Sequence, residues 1–225
     1  HHERIQAKTT VKTSIIGLEI SSDKQETKNI LYNNGVPVPY GVVVESVEEV
    51  EAAALRVGFP LVVKPLDANQ GKGATINVTS TEDALRAFEA AHQFSGGVIL
   101  EKYIAGSDFR LLVINNKFVA AARRTPAHVT GDGKSTINQL IKEVNSDPRR
   151  GFGHEKVLTE IKVDSMTRRL LDQANYTLDT VLEAGQVFYL KTTANLSTGG
   201  VSEDVTDTVH STNIFIAERA SKFID

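Results

Sequence analysis

The chain has 225 residues, with 25 Lys and Arg against 28 Asp and Glu for a formal charge of -3, and 40% of its residues are hydrophobic. That size and apolar content favour one large domain or two lobes, and they argue against disorder and against a chain-wide basic surface for nucleic acid. The absence of cysteine excludes a disulfide or thiolate zinc site; the apolar runs fall far short of the roughly 20 residues of a membrane span, and the start lacks a signal-peptide core, so a cytoplasmic protein without membrane or nucleic-acid partners is expected.

In chain order, "SSDKQETKNILYNNGVPVP" reads as a helix capped by Asp23, with Glu26 placed as capping-box partner and a glycine and two prolines to stop it. "SVEEVEAAALRVGFP" repeats the device with Ser46 and Glu49, stopping at Gly58 and Pro60. A strand "LVVK", a glycine loop, a strand "ATINV", a capped helix "STEDALRAFEAAHQF" and the run "GGVILEKYI" follow. The strands around the loop read as antiparallel and the fold class as α+β. "DFRLLVINNKFVAAARR" is a hairpin turning at Asn115-Asn116, residues that tolerate the backbone angles of a tight turn. Beyond Gly131-Asp132-Gly133 we expect a helix near residues 136 to 145, a charged loop, a helix around Ser165 to Tyr176, a strand "QVFYLK", the polar segment "TTANLSTGGVSEDVTD" and a helix from about Ser211. The end, "ASKFID", lacks the punctuation seen elsewhere and reads as cut.

Several residues have the chemistry of a phosphate site. Gly71 and Gly73 let backbone N–H groups turn towards a phosphate while Lys64 and Lys72 supply charge, although an ordinary surface hairpin has the same composition. The pattern is neither a GxxxxGK[ST] loop nor a dinucleotide fingerprint. The stretch Glu101-Lys102-Tyr103-Ile104 can offer edge backbone groups and apolar contacts to a flat base, and Asp108 can accept from ribose hydroxyls. Arg123 and Arg124 end one strand and Lys191 another, placements that suit a cleft or a solvated strand end. "TTANLSTGG" suits an anion or a tight polar turn; Asp204 and Asp207 read as structural or capping groups. The histidines share no metal-site spacing, no GxSxG elbow is present, and no residue here is assigned as a metal ligand.

Taken together, "RIQAKTTVKTS", "DKQETKNILYNNGVPVP", "VVKPLDANQGKG", "EKYIAGSDFRLLVINNKFVAAARRTPAHVTGDGKSTINQLI", "NSDPRRGFGHE", "TANLSTGG" and "DVTDTVH" resemble, in order and over nearly the whole chain, the ATP-grasp part of the cyanophycin synthetase family. The resemblance implies an ATP-grasp fold: two α+β lobes with a nucleotide cleft between them. Its segments would be an N-terminal linker over residues 1–22, a first lobe with the phosphate loop over 23–103, and a second lobe, incomplete at its end, over 104–225. It implies a ligase that activates the C-terminal carboxylate of a polyaspartate chain as an acyl phosphate and joins the next aspartate, using ATP and Mg2+. The partners implied are aspartate and an acidic peptide or cyanophycin primer, with a homo-oligomer in the full-length protein.

By the same resemblance, Lys24 and Lys64 meet the α- and β-phosphates, and Asn69 to Gly73, including Gly71 and Lys72, form the flap over them. Glu101, Lys102 and Ile104 form the adenine hinge, and Asp108 binds ribose. Lys191 stands where the family has an arginine near the transferred phosphate, with Arg110 and Arg124 as catalytic partners. Arg123, Asn195, Ser197, Thr198, Gly199 and Gly200 are candidates to hold the acidic chain. Gln70 replaces a family histidine, Val201-Ser202-Glu203 replaces a Thr-Ala start, and "VHSTN" replaces "VHPTN". The family's metal-binding Asp and Glu-x-Asn are expected beyond residue 225, so this stretch alone is expected to be inactive. A related ATP-grasp peptide ligase and a non-catalytic nucleotide-binding or assembly module are the alternatives.

Overall fold

A computed structural model describes residues 5, 6, 9, 10, 13–67, 73–153 and 155–224. Strands β1 (Ile5–Gln6) and β2 (Thr9–Thr10) pair antiparallel. Helix α1 (Ile15–Ser22) follows, capped by the Ser14 hydroxyl, which accepts from the Gly17 N–H at 3.2 Å. The sequence does not announce this helix, because its apolar residues form no helical stripe, and Ile15 and Ile16 stay largely exposed.

Helix α2 (Lys24–Asn33) starts where expected: the Asp23 carboxylate accepts from the Gln25 and Glu26 N–H groups at 2.8 and 2.9 Å. After β3 (Gly41–Val44), the Glu49 carboxylate accepts from the Glu45 and Ser46 N–H groups, closing the capping box that leads into α3 (Val50–Val57). Then come β4 (Leu61–Pro65), β5 (Thr75–Val78), α4 (Thr81–His92), β6 (Val98–Lys102) and the hairpin of β7 (Asp108–Ile114) and β8 (Lys117–Thr125). Asn115 and Asn116 take φ of 50 and 60°, the left-handed pair that the hairpin turn requires. The chain continues through β9 (His128–Thr130), α5 (Ile137–Asn145), β10 (Arg150–Gly151), β11 (Leu158–Thr159), α6 (Ser165–Gln173), β12 (Val187–Tyr189), β13 (Val201–Asp204) and α7 (Ser211–Ile224).

Two compact units result: His1–Ala105 with Leu111–Val119 and Thr208–Asp225, and Gly106–Arg110 with Ala120–Asp207. The first is built on the antiparallel sheet β3-β6-β4-β5. On β4, Leu61, Val63 and Pro65 are buried at period two. On α4, Ala84, Ala87, Phe88 and Ala91 are buried at helical spacing and join Val50, Ala53, Ala54 and Val57 of α3 in one apolar core. Fully buried Leu61 and Leu100 contribute about 2 kcal/mol each by removal from water. Within this unit α7 is held by Arg219, which donates to the Asn34 carbonyl at 2.6 Å, and by Glu218, which accepts from the Phe118 N–H.

The second unit has its own core: Ala127, Val129, Ile137, Leu140, Ile141, Ile161, Leu171, Leu182 and Leu190. Strands β9 and β12 pair beside α5, whose entry is fixed by the Thr136 and Gln139 capping box. The stretch Val201–Asp204, read from its composition as part of a polar segment, is strand β13, paired antiparallel with β8 in the order β13-β8-β7. Its side chains are mostly exposed, so it has no apolar alternation from which a strand is read. Among the described residues no helix is long and apolar enough to cross a membrane.

Candidate active site

In the first unit, three lysines gather about one carboxylate. Strands β4 and β6 pair Val62 with Glu101 and Lys64 with Ile99, which sets Lys64 and Glu101 diagonally on one face of the sheet. Glu101 is 7% exposed. One of its oxygens accepts from Lys64 Nζ, and the other from Lys28 Nζ at 3.0 Å. Lys28 lies one turn along α2 from Lys24, on the same helix face. Lys24 Nζ donates to the Leu66 carbonyl at 2.8 Å, at the start of the glycine loop. Burial, with the charge of Lys64, pulls the Lys24 ammonium below its ordinary pKa. An anion beside Lys24 and Lys64 reverses that pull, so the cluster is primed for negative charge.

Gly41 makes room for this arrangement. It pairs with Glu101 across β3 and β6, and a Cβ there would stand 2.8 Å from Glu101 Cβ and 3.1 Å from Lys28 Nζ. Neither Lys28 nor Gly41 is singled out by the sequence, although the i, i+4 spacing from Lys24 is a readable signal for the lysine. Gly73 takes φ of 69°, and a Cβ there would meet Phe94 at 2.7 Å. Asn69, Gly71 and Lys72 lie outside the described residues.

Beyond Glu101, the Lys102 side chain turns away from the lysine cluster and donates to the Gly58 and Phe59 carbonyls at 2.9 and 2.5 Å. The Lys102 N–H is bonded to the Tyr40 carbonyl and the Tyr103 N–H to that of Pro60. Ile104 presents an exposed apolar side chain.

The other candidates lie in the second unit. Asp108 Oδ1 accepts from Arg124 Nε and Nη2 at 2.9 and 2.8 Å. Arg123 pairs with Glu203 across β8 and β13. Arg110 stands exposed on β7, two residues from Asp108 and on the same strand face. Lys191 is buried, its Nζ 2.6 Å from Asp164 and donating to the Thr167 hydroxyl and the Lys162 carbonyl at 3.0 and 3.1 Å. Asp164 in turn caps α6 by accepting from the Thr167 N–H. Burial pushes the Asp164 carboxyl up, but Lys191 and the Thr167 N–H outweigh it and leave the pKa below its usual value.

"TANLSTGG" folds as a compact turn. The Asn195 carbonyl accepts from the Thr198 and Gly200 N–H groups and from the Thr198 hydroxyl. Gly199 takes φ of 93°, with Ile161 Cγ1 2.7 Å from where a Cβ would sit. Its carbonyl accepts from Arg150, a buried guanidinium in the "NSDPRRGFGHE" stretch that is not among the candidate site residues read from the sequence.

The fold is the α+β fold of the ATP-grasp ligases. The RimK-like ATP-grasp domain model matches residues 21–140, more than half of the chain, and the chain belongs to that family. It is similar over its whole length to the cyanophycin synthetase of Trichormus variabilis, 50% identical over 225 residues that make up 25% of that protein. It is 36% identical over 223 residues to the glutathione biosynthesis bifunctional protein of Listeria innocua, covering 98% of this chain and 29% of that one. The solved bifunctional glutathione synthetase from Pasteurella multocida superposes with a TM-score of 0.62 at 31% identity, over 96% of this chain and 30% of its own. The chain thus spans about a quarter of the length of the cyanophycin synthetases it matches.

Proposed function

We propose that this chain is the ATP-grasp part of a carboxylate-amine ligase that extends an acidic, polyaspartate-type backbone by aspartate in the cytoplasm. The lysine cluster about Glu101 carries this reading: three cations within one unit, set on a helix and a strand, with Lys24 bonded to the Leu66 carbonyl. Support for the substrate comes from the 50% identity to a cyanophycin synthetase along the entire chain. The similarity to glutathione-forming proteins over 98% of the chain favours, as the second reading, a peptide ligase with another acceptor.

In the reaction, a substrate carboxylate oxygen bonds to the γ-phosphorus of ATP as the bond from that phosphorus to the β,γ-bridging oxygen breaks, releasing ADP. The amine nitrogen then bonds to the acyl carbon, phosphate leaves with the oxygen it carries, and the amine gives up a proton. Phosphoryl transfer is mainly positioning and charge stabilisation. Lys24 and Lys64 would hold the phosphates, Glu101 and Lys28 would fix the Lys64 ammonium, and the backbone at Lys102 and Ile104 with Asp108 would seat the nucleoside. Since Asp108 is bonded to Arg124, ribose hydroxyls would share that carboxylate or displace the guanidinium. Arg110, Arg123, Arg124 and the turn from Asn195 to Gly200 would hold the acidic chain, with Lys191 acting by ordering α6 and the strand end before that turn.

Among the described residues no three carboxylates or imidazoles converge on a common point. Mg2+ needs only one or two carboxylates beside the ATP phosphates and would, when bound, offset phosphate charge; the roles above are those of this chain's own residues.

Calorimetric titration with a non-hydrolysable ATP analogue tests the nucleotide site. Micromolar binding, weakened about tenfold or more by Lys64→Ala through loss of a charged contact, is the expected result. Absence of binding, or equal binding by the variant, rules the site out. For the substrate, ADP release that needs both an aspartate-rich primer and aspartate, measured on the full-length protein, is expected; turnover with another amine in place of aspartate selects the second reading.

A further inference from the structure

The second unit holds a cavity of about 690 Å³ whose walls include His128, Thr130, Asp147, Arg149, Arg150 and Gly199. Two cations of this unit, Lys191 and Arg150, are each 6% exposed. They differ in one respect. Lys191 has a carboxylate at 2.6 Å, whereas among the described residues no carboxylate lies within 4.0 Å of the Arg150 guanidinium. Asp147, whose field reaches Arg150, is engaged by Arg149 through Nη2 at 2.7 Å.

Arg150 is held by one of its nitrogens. Nη1 donates to the Thr159 carbonyl at 2.6 Å and to the Gly199 carbonyl at 3.0 Å. Among the described residues Nε and Nη2 have no hydrogen-bond partner, and neither is sealed from solvent. Arg150 lines the cavity, and these donors are the part of its guanidinium left for a ligand there. Burial lowers the pKa of this guanidinium, with Asp147 acting against it from a distance, so a counter-charge brought to the free donors is favoured. The fork of donors left over matches the two oxygens of a carboxylate.

The cavity wall also tells which anion. It carries three carboxylates, Asp132, Glu143 and Asp147, against two guanidiniums, Arg149 and Arg150. A phosphate dianion is repelled by such a wall, whereas a molecule that brings both a carboxylate and an ammonium meets complementary charge at both ends. We propose that Arg150 and its cavity form a binding site for a small α-amino acid, its α-carboxylate resting on the free guanidinium donors and its ammonium on Asp147. On the ligase reading above, this is a seat for the incoming amino acid, joined through the Gly199 carbonyl to the turn assigned to the acidic chain. The site itself needs no nucleotide.

The test is titration of the full chain with L-aspartate, without nucleotide, followed by amide NMR shifts, alongside N-acetyl-L-aspartate and inorganic phosphate. We expect saturable aspartate binding with shifts at residues of this cavity, weaker binding of the acetylated analogue and weakest binding of phosphate. Arg150→Lys keeps the charge but loses the fork, and is expected to weaken aspartate about tenfold. Asp147→Asn, at a partly exposed position, is expected to weaken aspartate and to tighten N-acetyl-L-aspartate; it decides the matter alone if Arg150→Lys fails to fold by circular dichroism. No saturable binding, phosphate bound tighter than aspartate, or wild-type affinity in every folded variant overturns the proposal. The ATP analogue is titrated on the same protein samples, so loss of the nucleotide site and loss of this site are read separately.

Discussion

Replacing Glu101 by glutamine probes the centre of the lysine cluster with little change of shape. The Glu101 side chain is 10% exposed and its carboxylate stands between Lys28 and Lys64. Its loss leaves two ammonium groups facing a neutral amide, and breaking a buried ion pair from one side costs about 3–5 kcal/mol. Both lysine side chains keep some water, at 18 and 29% exposure, so a value below that range, about 2–3 kcal/mol, is appropriate. In a chain of this length 1 kcal/mol shifts Tm by about 2–4 °C, which gives a fall of about 4–12 °C for Glu101→Gln. A bound nucleotide restores negative charge beside the lysines. A saturating ATP analogue should therefore raise the Tm of the variant more than that of the wild type. Melting curves by circular dichroism with and without the analogue measure both quantities. A Tm unchanged by the substitution, or an equal nucleotide shift in both proteins, refutes the view that Glu101 is the counter-charge that holds these lysines for phosphate.

Lys191→Met should lower Tm by about 4–8 °C, since about 2 kcal/mol of charge-assisted hydrogen bonding to Asp164 and Thr167 is lost; an unchanged Tm with lost turnover would instead place Lys191 in the chemistry. Gly199→Ala forces a Cβ within 2.7 Å of Ile161 at a φ of 93°, and should cost at least about 2 kcal/mol and weaken aspartate binding by displacing the carbonyl that anchors Arg150. Ser135 and Lys134 supply the hydrogen bonds that lower the Asp132 pKa from 3.8 to about 2. Because the folded value lies below the unfolded one, the stabilisation is complete above about pH 4 and disappears as pH falls towards about 2. The Tm difference between wild type and Asp132→Asn should therefore be present at about pH 6 and shrink across that interval, and a constant difference argues against the linkage.

Much of the first unit is legible in the sequence because its signals are local. Asp23, Ser46 and Ser80 mark helix starts through side-chain caps, Gly58 ends a helix, and Asn115-Asn116 supplies a left-handed turn, so each element is specified within a few residues of itself. The alternation of Leu61 and Val63 and the helical spacing of Ala84, Ala87, Phe88 and Ala91 place the core in the same way. Strand β13 carries no such signal, since its exposed Ser202, Glu203 and Asp204 become a strand only by pairing with Arg124, Arg123 and Ala122, about 80 residues earlier. The candidate site shows the same division. Lys24 and Lys64 stand in recognisable stretches and Lys28 follows Lys24 at i, i+4, whereas Glu101, the carboxylate that defines their electrostatics, meets Lys64 and Lys28 across separations that no spacing rule covers.

The two kinds of cation follow the same division of labour. Lysines surround Glu101, and an ammonium on a flexible stem can exchange a carboxylate for a phosphate oxygen with little loss of geometry. Arg150 is fixed differently: one nitrogen is bonded to two backbone carbonyls, and the direction of its remaining donors follows from the plane of the guanidinium. A ligand there must match a set direction, which suits selection of one amino acid from others, while the lysine cluster suits phosphates that change charge and position as they are transferred. Exchanging the two residue types separates these roles. Lys64→Arg should keep nucleotide binding within a few-fold, because charge dominates there, whereas Arg150→Lys should lose about tenfold for aspartate, because direction dominates. Equal losses at the two positions would mean that charge alone governs both sites, and the selectivity assigned to the second unit would then have no physical basis.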